Sequence, residues 1–242
     1  FQTEGYESIP NLLLLNVHLA HLTKNIKMGC AFNIAPMWHP LRLAEDFATA
    51  DILTGGRVIF GIGRGYHTRE VETFGQPLLD QAANRDLFEE QAEIIFKSFN
   101  ERSFSHHGKN YDIPPDVPYR GYDLKELTLV PRPVNRPVEC WQPIVSVSPR
   151  GLDFMVKHGI KGVVPGGSRL NEIATKWKEA LTRAGRDVGL GEDLALVLQI
   201  HIADTQEQAI QEASIWFEEQ TKVLAPLGMM PALTEEQIQA TF

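Results

Sequence analysis

The sequence predicts a parallel α/β fold, on three observations. Short apolar segments alternate with amphipathic ones along most of the chain. Residues suited to capping stand where the amphipathic segments begin. Two of the apolar segments run into turns, Gly61-Ile62-Gly63-Arg64-Gly65 and Ser148-Pro149-Arg150-Gly151, at the strand ends where parallel folds gather their ligands.

Taken in order, Ser8 and Pro10 should start a helix to about Lys24, with Leu12, Leu15, Leu19 and Leu22 at helical spacing. The stretch 26–35 has the apolar, small-residue character of a strand buried on both faces. Pro40 opens a helix to about Leu53, and Gly55-Gly56 ends it. Residues 58–63 form the next buried strand. Asp80 caps a longer helix to Phe99, with Phe88, Ala92, Ile95 and Phe99 on one face. The stretch 104–143 breaks the rhythm: it is rich in proline and aromatics, and reads as an irregular insertion with short strands around 104–111 and 127–130.

The alternation then resumes, with strands at 144–148, 161–164 and 194–203 and helices at 152–158 and 169–184. Asp204 or Thr205 caps a last helix to Leu224, with Glu207 or Gln208 as the capping-box partner. Strand–helix alternation implies parallel pairing through right-handed crossovers. These five core strands suit either an open doubly wound sheet or an arc of a barrel, and periodicity does not choose between them.

Composition narrows the function classes. The 242 residues, 43% hydrophobic and 22% charged, are those of an ordinary globular protein, read as one domain. A formal charge of −8 argues against nucleic acid, which is bound mainly through clustered Lys and Arg. No segment approaches the roughly 20 apolar residues of a membrane span, and a reducing, cytoplasmic setting is expected. The two cysteines, Cys30 and Cys140, lack metal-ligand spacing. His106 and His107 alternate across a strand and cannot chelate one ion, so no metal site is expected.

Three segments carry chemistry. In Gly61–Gly65 the missing side chains let backbone N–H groups approach an anion, and Arg64 adds a planar fork of donors. The glycine spacing is not that of a dinucleotide fingerprint, and a tight turn with a solvated arginine is the competing reading. Ser148-Pro149-Arg150-Gly151 joins a hydroxyl to a helix N-terminus, either a second anion site on the same sheet edge or a plain cap. His39, in Met37-Trp38-His39-Pro40, is a candidate general acid or hydrogen-bond donor, or a structural histidine before a helix.

These segments, in this order, resemble the bacterial-luciferase-like flavin monooxygenase family. The resemblance is carried by Glu4-Gly5-Tyr6-Glu7, Ile26-Lys27-Met28-Gly29, the run from His39 to Asp46, the run from Asp51 to Arg57, Gly61–Gly65 and Phe74-Gly75, and more loosely by 143–159. It implies a TIM-type (β/α)8 barrel with an insertion at about 104–143. It also implies that the first two β/α units and the last one are absent from this chain, which would be a fragment with its main catalytic histidine N-terminal to Phe1. By the same resemblance Arg64, Gly65 and Tyr66, joined by Ser148, Arg150 and Gly151, would hold the phosphate of flavin mononucleotide. Ala31-Phe32 matches a position where the family often has a non-proline cis peptide under the flavin ring, and Glu45 would lie near that ring.

The implied activity is monooxygenation of a small apolar substrate by a dimer, using oxygen and reduced FMN from a separate flavin reductase. A deazaflavin-dependent hydride transferase on the same barrel and a noncatalytic flavin-binding protein are the rival readings.

Overall fold

A computed structural model describes residues 9–228 together with Thr234 and Glu236. The described residues fall into two compact units, 9–197 and the segment from Leu198 onward. In the first, the chain runs α1 (Leu12–Leu22), β1 (Met28–Gly29), β2 (Asn33–Ile34), α2 (Pro40–Leu53), β3 (Val58–Gly63), α3 (Thr68–Val71) and α4 (Gln81–Asn100). The hairpins β4 (His106–His107)/β5 (Asp112–Ile113) and β6 (Pro118–Tyr119)/β7 (Tyr122–Asp123) follow. Then come β8 (Cys140–Pro143), α5 (Pro149–Lys157), β9 (Lys161–Pro165), α6 (Leu170–Arg183) and β10 (Leu194–Val197).

Six strands form one parallel sheet in which β1 and β2 both pair with β3, and β8, β9 and β10 follow in chain order. A doubly wound sheet would reverse its strand order at a switch point, whereas here each strand lies beside its successor, as in a barrel wall.

Several local signals act as expected. The His39 side chain caps α2, Asp80 accepts from the N–H groups of Ala82 and Ala83 at 3.1 and 3.0 Å, and Ser148 caps α5. Gly55 and Gly56 leave α2 with φ of 69° and 79°. Three expectations need correction. Asn11, accepting from Leu13 and Leu14, is the cap of α1; Pro10 precedes it, and Ser8 lies outside the described residues. The strand expected at 144–148 is at Cys140–Pro143, because its register is set by Phe60 and Gly61 on one side and 161–163 on the other. The last strand pairs only through Val197, and residues 198–203 have strand-like alternation but no ladder among the described residues.

In β3 the two faces separate cleanly. Phe60 and Ile62 point into the helix layer, where Phe60 packs with Phe47 and Phe99 at ring-centroid distances of 4.9 and 5.5 Å. Gly61 and Gly63 face the other way, toward Cys30 and Phe32.

Part of the insertion packs against α2 and α4. Phe104 and Ile113 join Ile94 of α4, with Leu41 of α2 beside them, and Phe104 pairs with Leu127 across an isolated bridge. Glu90 of α4 grips its turn, accepting from the N–H of Asn110 and Tyr111 at 3.0 Å and from the Asn110 amide at 2.6 Å, with His106 at 3.1 Å. Tyr119 and Tyr122 are exposed.

Behind the sheet, α4 and α5 are joined by ion pairs and by His158, whose ring stacks on Phe96 at 5.3 Å. Burial, then the neighbouring Lys157, lowers the His158 pKa below the ordinary 6.5, against the opposing pull of Glu93 and Glu89. A histidine whose folded pKa is depressed is protonated more readily in the unfolded chain. Its stabilising contribution is therefore complete above about pH 6.5 and is lost as pH falls through the folded value. Urea melts between pH 7 and 5 should show stability declining with acid, and His158→Gln should flatten that decline; an unchanged slope would refute the assignment.

In the second unit Thr205 caps α7 (Gln206–Leu224), its hydroxyl accepting from the N–H of Gln208 at 3.1 Å. The Gln208 side-chain amide donates to Glu212 at 2.8 Å.

Candidate functional site

The two ends of the sheet differ in charge arrangement. At the N-terminal ends of the strands, charges are mutually paired: Lys27 to Glu139 at 2.9 Å, and Lys161 to Glu139 and Asp193 at 3.4 and 3.7 Å. At the C-terminal ends three arginines gather. Arg64 follows β3, and its guanidinium donates to the fully buried Asn84 at 3.0 Å while the Asn84 amide returns a bond to the Arg64 carbonyl at 3.2 Å. Burial lowers the Arg64 pKa, and the proximity of Arg85 and Arg150 adds to this while Glu89 opposes it. The guanidinium is thus half-buried and held in place by Asn84.

Gly65, with φ of 81°, completes this strand end. A Cβ there would overlap the Val71 side chain, so no other residue fits. Opposite, Ser148 Oγ accepts from the Gly151 N–H at 3.3 Å at the start of α5. A Cβ on Gly151 would stand 3.0 Å from Ser148 Oγ and 3.3 Å from the Arg85 guanidinium, which places Arg85 over this helix end. Arg64, Gly65, Ser148 and Gly151 therefore share one edge, as expected from the sequence. The Arg150 side chain turns back to α4, bonding Asp86 at 2.8 Å and Glu89 at 2.6 and 3.1 Å, so that toward a ligand it offers its main chain. Tyr66 holds its ring 64% exposed.

Next to this edge is a strip of bare backbone. The Ala31-Phe32 peptide bond is cis and sits between β1 and β2. Phe32 lies over Gly61 and Gly63, for a Cβ on either glycine would come 3.2 or 3.4 Å from it. Asn33 secures the neighbouring strand by donating to the Gly61 carbonyl at 2.9 Å. The strand edge with its arginines thus adjoins a glycine strip of β3 that is covered by Phe32 and the Cys30 carbonyl.

A profile of the luciferase-like monooxygenases matches residues 2–240. The chain belongs to this family. The oxygenase component of the flavin-dependent trigonelline monooxygenase of Acinetobacter baylyi is 25% identical over 246 residues, covering 96% of this chain and 63% of that protein. The oxygenating constituent of 3,6-diketocamphane monooxygenase from Pseudomonas putida, solved with FMN, superposes with a TM-score of 0.72 at 21% identity, covering 96% of this chain and 66% of the other. An F420-dependent secondary alcohol dehydrogenase superposes with a TM-score of 0.68 at 16% identity, covering 98% of this chain and 68% of that one. At such identities the two structures establish a shared luciferase-like α/β barrel fold. The chain spans less than two thirds of the length of the curated relatives it matches.

In this luciferase-like protein His39 is the cap of α2 and Glu45 lies within that helix. His39 Nδ1 accepts from the Leu41 N–H at 3.3 Å, which leaves the proton on Nε2 when the ring is neutral. Burial, then Arg42, lowers the His39 pKa, opposed by Glu45. The Glu45 carboxylate pairs with Arg42 at 2.9 Å. The ring edge of Tyr111 meets His39 at 5.5 Å, and the Tyr111 hydroxyl accepts from Gln91 at 2.8 Å.

Sequence reasoning missed Asn84, Arg85 and Glu89. A partial signal was available: Arg85 and Arg150 stand near the starts of α4 and α5, where a helix dipole disfavours cations, with Asp86 and Glu89 nearby to pair with them. Among the described residues no His, Cys, Asp or Glu group is arranged to hold a metal ion, and no helix is long and apolar enough to cross a membrane.

Proposed function

We propose that this protein is the oxygenase component of a flavin-dependent monooxygenase, working in the cytoplasm as a dimer with reduced FMN from a separate reductase and with oxygen. The observation that carries the reading is the convergence of Arg64, Arg85 and the start of α5 on one strand edge, beside Gly65, where no side chain fits. Those residues suit a phosphate monoester. Arg64 and Arg85 would supply charge, and the main chain of Gly65, Tyr66, Arg150 and Gly151 together with Ser148 would supply short-range donors. Ala31 and Phe32, against Gly61 and Gly63, would support the flavin ring.

Reduced flavin supplies the two electrons that let one atom of oxygen enter a small apolar substrate while the other leaves as water. The chain's part is to bind and orient the cofactor and to exclude water around it. His39 would hold a proton at Nε2 for transfer or hydrogen bonding, with burial and then Arg42 favouring the neutral ring and Glu45 opposing them.

Arg64→Ala should weaken FMN binding about 10- to 100-fold, the value of one charge-assisted contact, and leave riboflavin binding unchanged. Equal loss of both ligands in a titration would contradict the phosphate assignment. The dehydrogenase that shares this fold motivates a second reading, hydride transfer with a deazaflavin, and binding of the reduced deazaflavin in preference to reduced FMN would favour it. Binding of FMN without substrate-dependent oxygen uptake would favour a noncatalytic flavin carrier.

A further inference from the structure

We propose that Glu89 is the positioning residue of the arginine cluster, holding Arg85 beside Arg64 and keeping the Arg150 side chain back on α4, so that a phosphate meets a preformed site. The inference rests on the flavin-phosphate reading above and deepens it.

Three guanidiniums brought to one strand edge repel one another, and something must fix them before a ligand arrives. Two carboxylates are within reach, and they are not equivalent. Asp86 meets Arg150 at 2.8 Å and is shared with Lys109 at 3.4 Å, at the rim. Glu89 is the more enclosed, with 18% of its side chain exposed against 39% for Asp86. Its Oε2 takes two N–H groups of Arg150, and its Oε1 lies 3.7 Å from Arg85. That Oε1 is buried without a hydrogen-bond partner among the described residues. Glu89 is therefore the carboxylate that faces two of the arginines, and it reaches them from one turn along α4, below the edge a ligand would occupy.

The charges add up to a purpose. Arg64, Arg85 and Arg150 against Asp86 and Glu89 leave a net of +1. A partly buried acid beside a phosphate site would be expected to repel the ligand, so its presence needs a compensating role. Here the compensation is geometric: binding is stronger when donors need no reorganisation.

The sign of one substitution decides between the two roles. Glu89→Gln keeps the shape and removes the charge. If Glu89 positions the arginines, the variant should bind FMN about tenfold more weakly than the parent, while riboflavin binding is unchanged. If it merely competes with the phosphate, the variant should bind FMN more tightly, and the proposal fails. Asp86→Asn should lie within about twofold of the parent; an effect as large as that of Glu89→Gln would mean that general charge is what matters, and would overturn the proposal. Riboflavin affinity and the thermal midpoint report whether the variant is folded, and parallel loss of riboflavin binding would also overturn it.

A ligand-free arm separates this idea from the flavin reading. In nitrogen NMR of the arginine side chains, two guanidiniums should be restrained in the parent and mobile in Glu89→Gln. No change there refutes the positioning role whatever the protein binds. A parent that binds FMN and riboflavin equally sinks the phosphate reading instead, and the NMR arm still judges Glu89.

Discussion

Gly61→Ala should leave little folded protein, with any soluble fraction destabilised by at least about 4 kcal/mol. The added methyl would overlap the carbonyl oxygen of Cys30 and meet the Phe32 ring. The obstacle is main chain, not the far end of a flexible side chain, so relief requires β3 to move away from the neighbouring strand. Chemical denaturation, or simply the yield of soluble protein, measures it. Gly189→Ala is the matching control: nothing lies within 4 Å of a Cβ there, and the change should stay within about 0.5 kcal/mol. Similar behaviour of the two variants would mean that Gly61 does not face the Cys30 carbonyl as described.

Phe60→Ala should cost about 3–5 kcal/mol, through lost transfer energy and an unfilled space. Phe60 is fully buried and touches Phe47 and Phe99, whose rings meet each other at 5.2 Å. The two partners sit on α2 and α4, the helices that flank the candidate site. A denaturant midpoint shifted by less than about 1 kcal/mol would show that the helix layer can collapse into the gap. Because Phe60 and Gly61 are neighbours in sequence, the pair tests both faces of one strand: one tolerates no added atom, the other no missing ring.

What was legible in the sequence was what short-range chemistry decides. His39-Pro40, Asp80 and Ser148 announce their helices because a cap and the N–H it serves are two or three residues apart. The 61–65 glycines announce a tight strand end for a similar reason. The strand at Cys140–Pro143 was hidden, because Ile144-Val145-Ser146-Val147 has the stronger β preference while pairing partners, distant in sequence, choose the register. Val145 shows the outcome, being 69% exposed. Arg64 and Ser148 could be suspected singly, but the cluster they join depends on Arg85 and Glu89 of α4, and a helix meets a strand end only through the fold. The insertion's composition left open what its aromatics meet: Phe104 and Tyr111 lie against α2 and α4, while Tyr119 and Tyr122 are exposed.

The grip of Glu90 on the turn at 110–111 has a consequence in time as well as in space. The hairpin at 104–113 is fastened mainly to α4, through Glu90, Gln91, Asp86 and an apolar cluster, and not to the sheet, so it can open locally without disturbing the strands behind it. Its amides would then trade protons with solvent at the rate of a local hinge, far faster than those of β3. Such a flap can also be lengthened, shortened or replaced over evolutionary time while the strand edge formed by Arg64 and Gly65 keeps its shape.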